Sequence, residues 1–209
     1  MLRLLFRVHF LLLVLMFPAL LCGQEKSIDE QSVDAISHPE GLDVSLWAGS
    51  DQLSNPVAFT FDNQGRMFLC ETFRQNKGVE DNRGHMDWLD DDLAAQSLED
   101  RLAYFKHHLG DELAAYEAEE DRITVISDED GDGRADKDWV FAEGFSSALT
   151  GTGAGVLVLG NDVYYTCIPD LWKITDADGD GLSDQQQSLH YGYGVRVAFR
   201  GHDSHGLVL

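Results

Sequence analysis

The sequence predicts an all-β chain built from a repeated hairpin unit, with one helical segment inserted and a signal-like stretch at its N-terminus. Three observations predict it. An acidic turn of pattern D-x-D-G-D-G-x-x-D occurs twice, opened by Asp128 and by Asp176, a spacing of 176 minus 128, or 48 residues. Two short apolar or aromatic runs flanking a Gly/Asn turn also occur twice, each pair ending on a cysteine. Between the first hairpin and the first acidic turn, the apolar period changes from that of a strand to that of a helix.

The N-terminal stretch comes first. Arg3 and Arg7 precede a run from Val8 to Cys22 that is broken only by His9 and Pro18. A positive segment followed by a short apolar one reads as a signal peptide over residues 1–23, cleaved after Gly23. Kept, it would be a signal anchor. Cys22 offers a lipid attachment point, although Leu21 stands where a lipobox carries a small residue. The chain is therefore expected to be exported, periplasmic or extracellular, with membrane association confined to this stretch. Cleavage removes two arginines and no acid, leaving 13 basic against 37 acidic residues, a net charge of −24. Such a surface repels nucleic acid and anionic lipid and suits cations.

Residues 24–40 are polar and predict a flexible linker. Residues 41–209 carry the sheet pattern. Leu42 to Trp47 alternates apolar and polar, as a half-buried strand does. Val57–Phe61, the turn Asp62–Gly65 and Arg66–Cys70 make a hairpin. Gly155–Leu159, Gly160–Asp162 and Val163–Cys167 repeat it, and His205 to Leu209 resembles a third beginning. The chain is on this ground expected to be the N-terminal portion of a longer protein. Cys70 and Cys167 hold equivalent places, which leaves open a disulfide between neighbouring strands or two buried thiols. There is no C-x-x-C-H, hence no covalent haem site.

Leu89, Leu93, Leu98, Leu102, Phe105, Leu109 and Leu113 fit one or two amphipathic helices within an insertion of about residues 85–118, the stripe facing a core. His85 lies near Arg83 and Asp87 in a polar cluster, and His107 and His108 read as a solvated face.

The acidic turns are candidate metal sites. Asp128, Asp130, Asp132 and Asp136 occupy positions 1, 3, 5 and 9 of the first, and Asp176, Asp178, Asp180 and Asp184 those of the second. Calcium takes roughly 6–8 oxygen ligands, and glycine at position 6, here Gly133 and Gly181, permits the sharp turn. Position 12 holds Trp139 and Gln187 where an EF-hand needs glutamate, and the flanks Arg122–Ile126 and Leu171–Ile174 read as strands. A strand–turn–strand calcium site fits better than an EF-hand; a plain Asp/Gly turn is the other possibility. A hairpin unit recurring every ~40–50 residues is the period of a β-propeller. The expected fold is a partial β-propeller of two to three blades with an inserted α-helical segment, the acidic turns marking blade connections.

Three stretches carry a resemblance. Asp121 to Asp136 with Val140–Gly144, Pro169 to Gly181, and Gly201–Gly206 resemble the membrane-bound dehydrogenases of planctomycetes and their relatives, kin of the glucose/sorbosone dehydrogenase β-propellers. The resemblance spans roughly residues 40–209. It implies a sugar or alcohol dehydrogenase that uses pyrroloquinoline quinone and passes electrons to a cytochrome c. It also implies a histidine base at the start of an inner strand, which takes the hydroxyl proton as hydride leaves for the quinone. His202 falls at that place, with His205 in reserve, although His205 stands where the H-x-x-G turn has glycine. Arg196 and Arg200 would pair with the quinone carboxylates. The alternative is a non-catalytic, calcium-stabilised propeller that binds carbohydrate or a protein partner.

Overall fold

Two four-stranded antiparallel sheets form the scaffold. The first is ordered β1 (Pro56–Phe61), β2 (Met67–Glu71), β3 (Asp121–Ser127) and β4 (Lys137–Phe145); the second β5 (Gly155–Leu159), β6 (Asp162–Cys167), β7 (Asp170–Thr175) and β8 (Gln185–Tyr191). The computed structural model describes residues 26–197 and 203–208. The signal stretch 1–23, Arg200 and His202 lie outside the described residues.

Both predicted hairpins form with register. Phe59 faces Leu69 across the first turn, and Leu157 faces Tyr164 across the second. Alternation then sorts the side chains. Phe68, Cys70, Ile123, Val125 and Phe141 of the first sheet pack against Val156, Val163, Tyr165, Cys167 and Ile174 of the second, none more than 6% exposed. Burial of this kind contributes about 25 cal/mol per Å² of apolar surface. β1 lies beside β5, so the sheets meet along their first strands. The outer face of β1 stays open, with Phe59 61% and Phe61 51% exposed. Cys70 and Cys167 are buried free thiols, and burial pushes both up in pKa.

The helical insertion between β2 and β3 begins with a 3-10 turn, Met86–Trp88, and continues as α2 (Leu89–Ala94), α3 (Leu98–Leu109) and a 3-10 stretch, Gly110–Glu117; a separate helix, α1 (Ile28–Asp34), precedes the sheets. Ser97 starts α3 with a capping box to Asp100. Leu98, Tyr104, Phe105 and Leu109 bury their side chains; Tyr104, Phe105 and Leu109 do so in a second core with Trp88, Ala95, Ala148 and Val197. Leu93 is 54% exposed, because the break after Ala94 resets the helical phase.

Four expectations change. The linker over residues 24–40 contains α1, started by a Ser27/Glu30 capping box and pinned by Asp29, which accepts from the Ser50 amide at 2.9 Å. Leu42–Trp47 forms no strand, since neither sheet offers it a ladder. Residues 203–208 form no strand either; they lie against β6, where the Thr166 hydroxyl donates to Ser204 O at 2.7 Å. The acidic turns join β3 to β4 and β7 to β8, inside each sheet and not between sheets. Among the described residues no helix is long and apolar enough to cross a membrane.

Candidate functional site

The two acidic turns adopt one hydrogen-bond scheme. In the first, Asp128 accepts from the amides of Gly131 at 2.7 Å and Gly133 at 2.9 Å. In the second, Asp176 accepts from Gly179 at 2.7 Å and Gly181 at 3.0 Å. The last aspartate of each turn reaches back to the second position: Asp136 to the Glu129 amide, Asp184 to the Ala177 amide. Gly133 and Gly181 adopt φ of +90° and +91°, a region costly for other residues. The scheme gathers carboxylate oxygens of Asp128, Asp130 and Asp136, and separately those of Asp176, Asp178 and Asp184, within 4.8 Å of one another. Asp132 and Asp180 do not join these groups. Each accepts from the amide two residues on, Arg134 or Leu182, at 2.8 Å, as Asp130 and Asp178 do from Asp132 and Asp180 at 3.1 Å.

Each turn also docks backward. The Ala135 amide donates to Trp47 O at 2.7 Å, and the Ser183 amide, at the same turn position, donates to Phe141 O at 3.0 Å. The Trp139 indole N–H adds a bond to Gly181 O at 2.7 Å, tying the second turn to β4.

A polar tie that sequence patterning does not reveal joins the sheets to the insertion. Asp121 is fully buried and accepts from the Thr72 hydroxyl at 3.0 Å and from the amides of Phe73 at 2.9 Å and Gly153 at 3.0 Å. Arg74, also fully buried, donates to Thr150 O at 2.6 Å, Gly78 O and Ser147 O at 2.7 Å, and Tyr116 O at 3.1 Å. The partners lie up to 76 residues away, beyond the reach of any local signal.

The predicted redox residues are not gathered by the described part of the chain. His205 is exposed. Arg196 donates to Ala95 O in the insertion, at 3.4 Å. Asp203, missed by the sequence reading, accepts from the Thr152 amide at 3.1 Å, and burial lifts its carboxyl above the ordinary 3.8. The ionised carboxylate is therefore disfavoured by folding. The stabilisation that goes with its proton is complete below about 3.8 and is lost as pH rises through the folded value. Asp203→Asn should be more stable than the parent at neutral pH, with the gap closing on acidification, as urea midpoints across pH will test.

His85 pairs with Glu80 at 2.8 Å, not with Asp87, and Arg83 pairs with Asp81. His107 and His108 are both exposed, as a solvated face requires; His108 also stacks on Trp88 at 5.0 Å and bonds Asp91 at 2.7 Å.

No curated protein and no solved structure matches the chain. One family model does, described as a domain of unknown function, and it covers residues 28–206, taking in both sheets, both acidic turns and the insertion. The chain belongs to the DUF7133 family.

Proposed function

We propose that this chain is a calcium-stabilised module of β-propeller type, in which each four-stranded sheet is a blade and each acidic turn holds one calcium ion. The observation that carries this reading is the identity of the two turns in geometry despite different residues at Glu129/Ala177, Arg134/Leu182 and Ala135/Ser183. Three carboxylates held this close repel one another, and a dication removes that cost. Three aspartates with backbone carbonyls and water supply the roughly 6–8 oxygens calcium takes. Antiparallel four-stranded sheets meeting along their first strands support the blade assignment.

Calorimetric titration of the chelator-treated chain should give two sites. Asp128→Asn and Asp176→Asn should each remove one. At calcium a hundredfold above Kd, each site should add about 2.7 kcal/mol to stability. No heat and no shift in the unfolding midpoint would sink the proposal.

Redox chemistry near residues 201–206 is the second reading. It is favoured by the docking of Asp203 and Ser204 against Thr152 and Thr166, which ties the segment carrying the exposed His205 to the second sheet. The same calcium-loaded preparation, given pyrroloquinoline quinone, a dye and a sugar panel, tests it. Dye reduction lost in His202→Ala and kept in His205→Ala supports it. No reduction with any sugar rejects it and leaves a binding module.

A further inference from the structure

The outer edges of the two sheets differ. β4 closes the first sheet and β8 the second, each with no further strand beside it among the described residues. β4 carries Lys137, Asp138 and Glu143, and the second sheet caps its backbone. The Ser183 amide donates to Phe141 O at 3.0 Å, and the Gln186 side-chain amide donates to Glu143 O at 3.3 Å. Charges and caps of this kind keep an edge from recruiting another strand.

β8 carries no such charge. Its seven residues, Gln185 to Tyr191, include no lysine, arginine, aspartate or glutamate, in a chain of net charge −22. All seven are exposed. One bulge interrupts the ladder with β7, at Leu189; from Gln185 to Ser188 the register is regular. The far side of that stretch is a row of backbone donors and acceptors open to another strand.

We propose that β8 pairs with β8 of a second copy, antiparallel about a two-fold axis through Gln187, joining two four-stranded sheets into one of eight. Two observations commit the edge to another copy. A strand paired antiparallel about a two-fold axis is its own complement, so each copy supplies what the other lacks. Two copies of an acidic chain also repel wherever carboxylates face each other, and β8 is a strip without them. With Gln187 on the axis, Gln186 faces Ser188 of the other copy, within the regular part of the strand. Each glutamine amide both donates and accepts, so the facing side chains satisfy one another. The contact is at the small end of interface sizes, which makes the dimer reversible. It uses backbone and neutral side chains and does not depend on calcium.

Sedimentation velocity of the full chain, across a wide range of concentration and with and without chelator, should show a monomer–dimer equilibrium. Gln187→Lys sets like charges opposite each other and should weaken the dimer about fivefold. The control is Gln75→Lys, in the exposed turn after β2, which changes the net charge equally. Added positive charge on an acidic chain relieves general repulsion, so weakening by Gln187→Lys alone isolates the edge. The register is tested by cysteines in a Cys22→Ser background, where Cys70 and Cys167 are buried. Gln187→Cys should crosslink copies under mild oxidation, because directly opposed Cα atoms lie about 4.5–5.5 Å apart. Gln185→Cys should not, since it stands roughly 14 Å along the strand from its counterpart. A chain that stays monomeric overturns the proposal. So does a dimer that Gln187→Lys leaves as tight as the parent, or one that crosslinks as well through Gln185→Cys as through Gln187→Cys.

Discussion

Replacing Arg74 by methionine should cost about 3–5 kcal/mol, the scale for removing one partner from a buried charged network. Methionine fills much of the volume but donates nothing. The carbonyls of Gly78, Tyr116, Ser147 and Thr150 then lose their donor in the interior. These four mark the entry to the insertion, its exit, and the connection from β4 to β5. Their loss releases the insertion from the sheets. Domains hold only about 5–15 kcal/mol in total, so the variant should unfold at much lower urea or accumulate as insoluble protein. Arg74→Lys should fall between, keeping the charge and losing the planar fork. A midpoint for Arg74→Met matching the parent would remove Arg74 from this role.

Gly153→Ala is the second large effect. A Cβ at Gly153 would lie 1.6 Å from the Tyr165 hydroxyl oxygen and 2.4 Å from the adjacent ring carbon. The obstacle is space, not backbone conformation. Tyr165 cannot swing aside cheaply, because it is fully buried and packs on Phe145 at 4.8 Å. Moving the backbone instead stretches the Gly153 bond to Asp121. Overpacking of this kind costs about 1–3 kcal/mol or more, and for a chain of this size each kcal/mol lowers Tm by roughly 2–4 °C. Calorimetry should therefore find a drop near the upper end of that product. Tyr165→Phe in the same chain should recover part of it, since it removes the nearest atom. A Tm equal to that of the parent would refute the argument.

The parts of the fold legible in the sequence are those written locally. Val57–Cys70 and Gly155–Cys167 carry a two-residue alternation around turn residues, and both form the hairpins expected. The acidic turns announce themselves because each ligand, each glycine and each bonded amide lies within nine residues. The S-x-x-E at Ser27–Glu30 was an available helix signal in a stretch whose polarity concealed it. Leu42–Trp47 has a strand's alternation, but a strand also needs a neighbour, and alternation says nothing about that. The Arg74–Asp121 tie was illegible for the same reason: its partners are adjacent only after folding. Of the eight aspartates proposed as ligands, spacing could not separate Asp132 and Asp180 from the six whose carboxylate oxygens converge.

The backward docking of each acidic turn has a consequence for the order of assembly. Ala135 closes onto Trp47, and Ser183 closes onto Phe141. In both cases the acceptor is an earlier part of the chain. During synthesis the ribosome has released that acceptor before the turn emerges, so each turn meets a surface already made. The second sheet is thus fastened to the first, and the first to the segment before it, in the direction of translation. The insertion follows the opposite order, since its core is completed by Val197, whose amide donates to Asp92 at 2.8 Å.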